Sequence, residues 1–159
     1  MHASQIQHPF PVVGRGTSAV EGARLIAVDG QPALVIADEK GEPVAVVSAI
    51  DVLGLLVPAY VRDDLALAGV MDEKAAEDVW DRASGRTIGE LLDDARVHIY
   101  DLLTVDADAT ILEIAAQMAD ARAQVAMVAH DPGAAPQFVT LPVVMDAILA
   151  FCAPGSTKA

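Results

Sequence analysis

Apolar and polar positions along this chain fall into blocks that occur twice. Ser18 to Ala27 carries apolar residues at helical spacing, with Val20, Ala23 and Ala27 on one face beside Leu25 and Ile26. Ala33-Leu34-Val35-Ile36-Ala37 is an unbroken apolar run of the length expected for a strand buried on both faces. Asp38-Glu39-Lys40-Gly41 reads as a turn whose glycine is free to take positive φ. Pro43 to Val47 reads as the returning strand, and Ile50 to Val57 as a second helix, stopped by Pro58 because its ring disfavours continuation. A short extended piece, Pro11-Val12-Val13, precedes the set.

Residues 103–149 repeat residues 11–57 without a gap at a spacing of 92, with identities at Val13/Val105, Glu21/Glu113, Ala23/Ala115, Ala27/Ala119, Gly41/Gly133 and Val47/Val139. In a chain so rich in Ala and Val the shared order of elements carries more weight than the identities. Each copy opens with a capping box, Ser18-Ala19-Val20-Glu21 and Thr110-Ile111-Leu112-Glu113, in which hydroxyl and carboxylate satisfy each other's orphan N–H groups. In the second copy Ile111 to Ala121 is the predicted helix and Gln124 to Ala129 the first strand. The turn is Pro132 to Pro136, the return Gln137 to Val139, and the last helix Val143 to Ala150. Repetition of this kind predicts two pseudo-symmetric α/β units with a ligand crevice between them.

Between the copies Ala75, Ala76, Val79, Trp80 and Ala83 form the apolar face of a connector helix, ended by Ser84-Gly85. Trp80, the only tryptophan, is read as an anchor pinning that connector to the body. Thr87-Ile88-Gly89-Glu90 offers a third capping box.

Composition narrows the picture. At 159 residues the chain has room for one compact domain or two halves sharing a core. A hydrophobic content of 53% against 21% charged residues places it outside the disordered regime, and aromatics at 4% make its core aliphatic. No apolar run approaches the ~20 residues that span a bilayer, and the start lacks the basic and apolar regions of a secretion signal. The single Cys152 has no internal disulfide partner, which fits the cytoplasm. The net charge of −13 repels nucleic acid and anionic membranes, so neither is expected as a partner. It also means that a phosphate-bearing ligand needs a local cation.

The string from Ala33 through Ser48-Ala49-Ile50-Asp51-Val52-Leu53 resembles the central stretch of a CBS domain, named for cystathionine β-synthase. Val105 through Leu149 is similar but more divergent, and Arg86 to Leu92 resembles the lead-in found before such a repeat. Together the copies resemble a tandem CBS pair, or Bateman module. The resemblance implies an α/β fold of two βαββα repeats, with 1–58 as the first, 59–85 as a helical connector, 86–153 as the second and 154–159 as a flexible tail. It implies frequent dimerisation, and the apolar helix runs Val52 to Val57 and Val144 to Leu149, more than one small sheet can cover, predict a homodimer. A regulator of a partner protein is expected, and not an enzyme. The resemblance further implies an adenosine-containing ligand such as AMP or S-adenosylmethionine, with no tightly held cofactor.

In the family motif a small residue, two apolar residues, Ser or Thr and two variable residues lead to an Asp that accepts hydrogen bonds from ribose. Carried over, the first copy keeps Ser48 and Asp51, with Ala45 at the small position and Ala49 among the variable residues. The strand start at Pro11 and Val12 joins the expected contacts, and Arg15 is the nearest candidate for a phosphate cation. The second copy keeps Thr140, but Val143 stands where Asp is expected, and Pro142 removes an N–H from the helix start. The second site is therefore expected to be degenerate. Ser48-x-x-Asp51 ahead of an apolar helix is also a capping arrangement in its own right, so the capping and ribose-binding readings both stand. A ligand-independent scaffold that has lost its sites is the corresponding alternative function.

The remaining chemistry is sparse. Gly14-Arg15-Gly16 lacks the later glycine and lysine of a phosphate loop. His2, His8, His98 and His130 are scattered, no metal-ligand spacing is present, and Cys152 has no sequence-adjacent helper.

Overall fold

The computed structural model describes residues 1–94 and 98–153; the expected flexible tail, 154–159, lies outside the described residues. In chain order α1 (Ala3–Ile6), β1 (Val12–Val13), α2 (Ala19–Ala27), β2 (Ala33–Ala37), β3 (Pro43–Ser48) and α3 (Ala49–Leu56) contain the first copy. The connector and lead-in are α4 (Ala59–Asp63), α5 (Leu65–Val70), α6 (Glu73–Ser84), α7 (Ile88–Asp94) and β4 (Tyr100–Asp101). The second copy is β5 (Leu103–Val105), α8 (Ile111–Ala121), β6 (Val125–Val128), β7 (Gln137–Thr140) and α9 (Leu141–Cys152). The fold is α/β, and among the described residues no helix is long and apolar enough to cross a membrane.

The chain forms two compact units, Pro11–Asp101 and Met1–Phe10 with the segment from Leu102 onward. In the first, the sheet order is β1-β2-β3-β4, parallel at β1/β2 and antiparallel elsewhere. β2 is buried along its whole length, as its unbroken apolar run requires. Leu34, Ile36 and Val47 from the sheet, Val52 and Leu55 from α3, and Ile88, Leu91 and Leu92 from α7 share one core. Each fully buried aliphatic side chain of this kind contributes roughly 1.5–3 kcal/mol. α7 is held by both halves of its capping box, Thr87 N–H to Glu90 Oε2 at 3.1 Å and Glu90 N–H to Thr87 Oγ1 at 3.2 Å. It docks on the loop before α2, donating from Ile88 N–H to Thr17 O and from Gly89 N–H to Arg15 O, both at 2.8 Å. The Arg86–Leu92 segment, expected to lead into the second repeat, thus packs within the unit of the first.

The other unit has sheet order β5-β6-β7, and its pairing reproduces the first unit residue by residue. Val105 faces Val128 as Val13 faces Ile36, and Val125 faces Thr140 as Ala33 faces Ser48. The turn glycines match too, Gly41 at φ 84° and Gly133 at φ 87°, a region that L side chains avoid. The place of α7 is taken by α1. Ala3 N–H donates to Ala109 O and Ser4 N–H to Ala107 O, both at 2.9 Å, and these acceptors are the repeat equivalents of Thr17 and Arg15. His8 then bridges Phe138 with reciprocal 2.9 Å hydrogen bonds, and the Phe10 and Phe138 rings lie 5.7 Å apart. Val46 meets Tyr100 in the corresponding register of the first unit. Each unit is therefore completed by an arm that precedes the other copy in sequence.

Two local expectations differ from the structure. In the boxes at the starts of α2 and α8 only the hydroxyl half forms among the described residues. Ser18 Oγ accepts from Glu21 N–H at 3.2 Å and Thr110 Oγ1 from Glu113 N–H at 3.3 Å, while the Glu21 carboxylate faces Arg24 at 3.8 Å. Trp80 is 50% exposed and is not the buried anchor that the sequence suggests. The buried stripe of α6 runs through Val79 and Ala83, and one residue beyond Val79 turns ~100° away from it.

Candidate functional site

β3 ends at Ser48, whose extended backbone (φ −65°, ψ 157°) makes it the N-cap of α3. Pairing of Ser48 with Ala33 places this helix start at the end of the sheet where β1 and β2 begin. Ala49 N–H donates to Pro32 O at 3.2 Å and fastens the first turn to the segment leading into β2. Ser48 Oγ accepts from Asp51 N–H at 3.2 Å and donates to Asp51 Oδ2 at 2.6 Å, both residues being half-buried. The cap and the expected ribose acceptor are thus one hydrogen-bonded pair. A carboxylate has about four lone-pair positions, so Oδ1 and the remainder of Oδ2 still accept.

The electrostatics of the site favour donors of hydrogen bonds over anions. Asp51 stands in the first turn of α3, where the helix dipole already stabilises a negative charge. With the Ala49 and Asp51 N–H groups engaged, the Ile50 N–H is the first-turn donor without a partner among the described residues.

Pro11, immediately before β1, lies toward the end of the sheet that holds Ser48, whereas Val12 pairs with Val35, midway along β2. Arg15 does not join them. It follows Val13, which pairs with Ile36, so it leaves the sheet at the opposite end, more than about 10 Å along the strand direction. Its guanidinium is committed there, Nη2 donating to Asp93 Oδ1 at 2.6 Å and to Gly89 O at 3.1 Å. The small position, Ala45, is half-buried and pairs with Ile36 on one side and Asp101 on the other.

In the second unit Thr140 occupies the position of Ser48, and Leu141 N–H donates to Gln124 O at 2.9 Å as Ala49 does to Pro32. There the likeness ends. Thr140 is 5% exposed, its side chain makes no cap hydrogen bond, and Pro142 and Val143 follow it into α9. The Pro32 and Gln124 carbonyls and the Asp93 partner of Arg15 escape a reading of the sequence. Backbone acceptors carry no side-chain signature, and 78 residues separate Arg15 from Asp93.

No protein-family model matches the chain, and comparison with curated proteins gives no match. Solved structures do match. A CBS domain-containing protein of unknown function from Kribbella flavida is 37% identical, with 93% of this chain and 99% of that one covered and a TM-score of 0.70. The CBSX2 protein solved in complex with AMP is 19% identical over 96% and 98% of the two chains, with a TM-score of 0.60. A CBS domain pair solved with 5′-methylthioadenosine and S-adenosyl-L-methionine is 14% identical over 95% and 98%, with a TM-score of 0.58. The last two likenesses show the fold alone; the first, at 37% identity over nearly all of both chains, shows the family. The chain belongs to the CBS-domain proteins, and its two copies are a tandem CBS pair.

Proposed function

We propose that this CBS pair is a non-catalytic regulatory module that binds an adenosine-containing ligand through the Ser48–Asp51 end of the first repeat. The observation that carries this reading is the half-buried Asp51 carboxylate, positioned by Ser48 at the start of α3 and retaining acceptor capacity. Ribose hydroxyls are donors of the right kind for it. The AMP and S-adenosylmethionine complexes of structures sharing this fold support the ligand class. Arg15 is occupied elsewhere and a carboxylate sits at the helix start, so a ligand with little phosphate, such as AMP, or a cationic one, such as S-adenosylmethionine, suits the site better than ATP. Pro11, Val12 and Ala49 contribute backbone and apolar contact, and Thr140 stands in a degenerate second site.

A homodimer and a cytoplasmic setting belong to the same proposal. Ile50 and Leu53 on α3 and Leu141, Met145 and Leu149 on α9 are exposed, apolar helix surface of the kind that interfaces cover. Sedimentation at micromolar concentration tests the dimer, and a monomer alone overturns it. Cys152 is exposed and unpaired, which suits a reducing compartment.

One observation favours a ligand-independent scaffold instead: the Ser48–Asp51 pair already has a structural role as the cap of α3. A thermal-shift screen with AMP, ADP, ATP, 5′-methylthioadenosine and S-adenosylmethionine separates the two. Binding at 100 times the dissociation constant stabilises by about 2.7 kcal/mol, a plainly visible shift. No shift with any of the five supports the scaffold.

A further inference from the structure

Three of the chain's ten basic residues, Arg62, Arg82 and Arg86, gather around one apolar depression in the Pro11–Asp101 unit. It consists of two adjoining hollows of about 210 and 220 Å³ that share Leu55, Pro58, Arg86 and Leu91. Its wall is made by the buried Leu55, Val79, Ala83 and Leu91; Arg82 lines one hollow and Arg62 the other, both exposed. In a chain with 23 acidic residues an arginine ordinarily finds a carboxylate, as Arg15 does with Asp93 and Arg24 with Glu21. Among the described residues Arg62 and Arg82 do not. Arg62 Nη1 donates to Gly54 O at 3.3 Å, and a guanidinium has five donors in all.

Apolar wall and cationic rim together define the complementary ligand. We propose that this depression binds a small organic acid, its hydrocarbon body against Leu55, Val79, Ala83 and Leu91 and its carboxylate taken by the Arg62 and Arg82 guanidiniums. A carboxylate matches the guanidinium fork in charge and geometry, and the combined space falls within the ordinary range of small-molecule sites. The depression meets α3 at its C-terminal turn, where Leu55 lies about 10 Å of helix from Ser48 and about 6 Å from Asp51. Its lining comes from α3, α4, α6 and α7; it shares α3 with the adenosine site but none of that site's residues.

Octanoate is the probe, followed by isothermal titration against the full chain, with octanol (body without charge) and acetate (charge without body) as comparators. The expected result is saturable octanoate binding at one per chain, at least tenfold tighter than either comparator and undiminished by excess AMP. Arg62→Gln/Arg82→Gln weakens it at least tenfold. Arg82→Gln alone, which breaks no hydrogen bond among the described residues, gives the same direction of change should loss of the Gly54 contact unfold the double variant. Absence of octanoate binding, equal binding of octanol, displacement by AMP or unchanged affinity in the variants overturns the proposal.

Discussion

Gly22 of α2 lies against Ile88 of α7 so closely that a Cβ at Gly22 would stand 2.9 Å from the Ile88 Cδ1 atom. The equivalent positions in the second copy are Ile114, at the spacing of 92, and Ala3, which docks as Ile88 does; both are fully buried in one core cluster. The two units fill the same place with opposite partners, small helix and large arm in one, large helix and small arm in the other. Gly22→Ile is therefore expected to destabilise by about 1–3 kcal/mol through overpacking, measured by urea unfolding. Adding Ile88→Ala reproduces the arrangement of the other unit and is expected to recover at least half of the loss. A double variant no more stable than Gly22→Ile would show that the pair is not coupled.

The arm of residues 1–10 is a structural part of the second-repeat unit. Phe10 is buried against the wholly buried Phe138, and His8 supplies the strand pairing on that side. Phe10→Ala is expected to cost about 3–5 kcal/mol, as truncations of buried phenylalanine do. Hydrogen exchange should show the lost protection in β7 and α9. Protection lost chiefly within β1 to β3 would contradict the assignment of the arm to that unit.

These features mark where the sequence stops being informative. The strand order within each copy, both turn glycines and the hydroxyl caps follow from residue types at the spacing of 92, and Ser18, Thr110, Ser48 and Gly41 are recognisable because each acts on its immediate neighbours. The arm exchange is not local. His8 and Tyr100 share a role at the strand edge but no residue chemistry, and the segments from Ala3 to His8 and from Ile88 to Tyr100 differ in length by seven residues, which hides the equivalence from an ungapped repeat. At the candidate site Ser48 and Asp51 are legible as a pair. The position of Arg15 is not, because it depends on which end of the sheet the chain leaves.

Arg15→Ala is accordingly expected to act on stability alone. Its ion pair with Asp93 is about half exposed, so its contribution is held to roughly 0.2–1 kcal/mol. Affinity for an adenosine ligand should stay within twofold of wild type. A tenfold loss of AMP affinity without a fall in melting temperature would return Arg15 to the phosphate.

The central claim rests on Asp51. Replacing it by Ala removes the ribose acceptor but keeps the backbone N–H that Ser48 Oγ caps, so the start of α3 survives. A hydrogen bond to a charged group in a partly dry site contributes roughly 1.5–3 kcal/mol, equivalent to about a ten- to hundredfold change in affinity. Calorimetric titration of wild type, Asp51→Ala and Thr140→Ala with AMP and with S-adenosylmethionine is the most direct measurement. The expected result is wild-type binding to at least one of the two, weakened ten- to hundredfold in Asp51→Ala and within twofold of wild type in Thr140→Ala. Equal loss in both variants, loss confined to Thr140→Ala, or no binding by the wild type would contradict it.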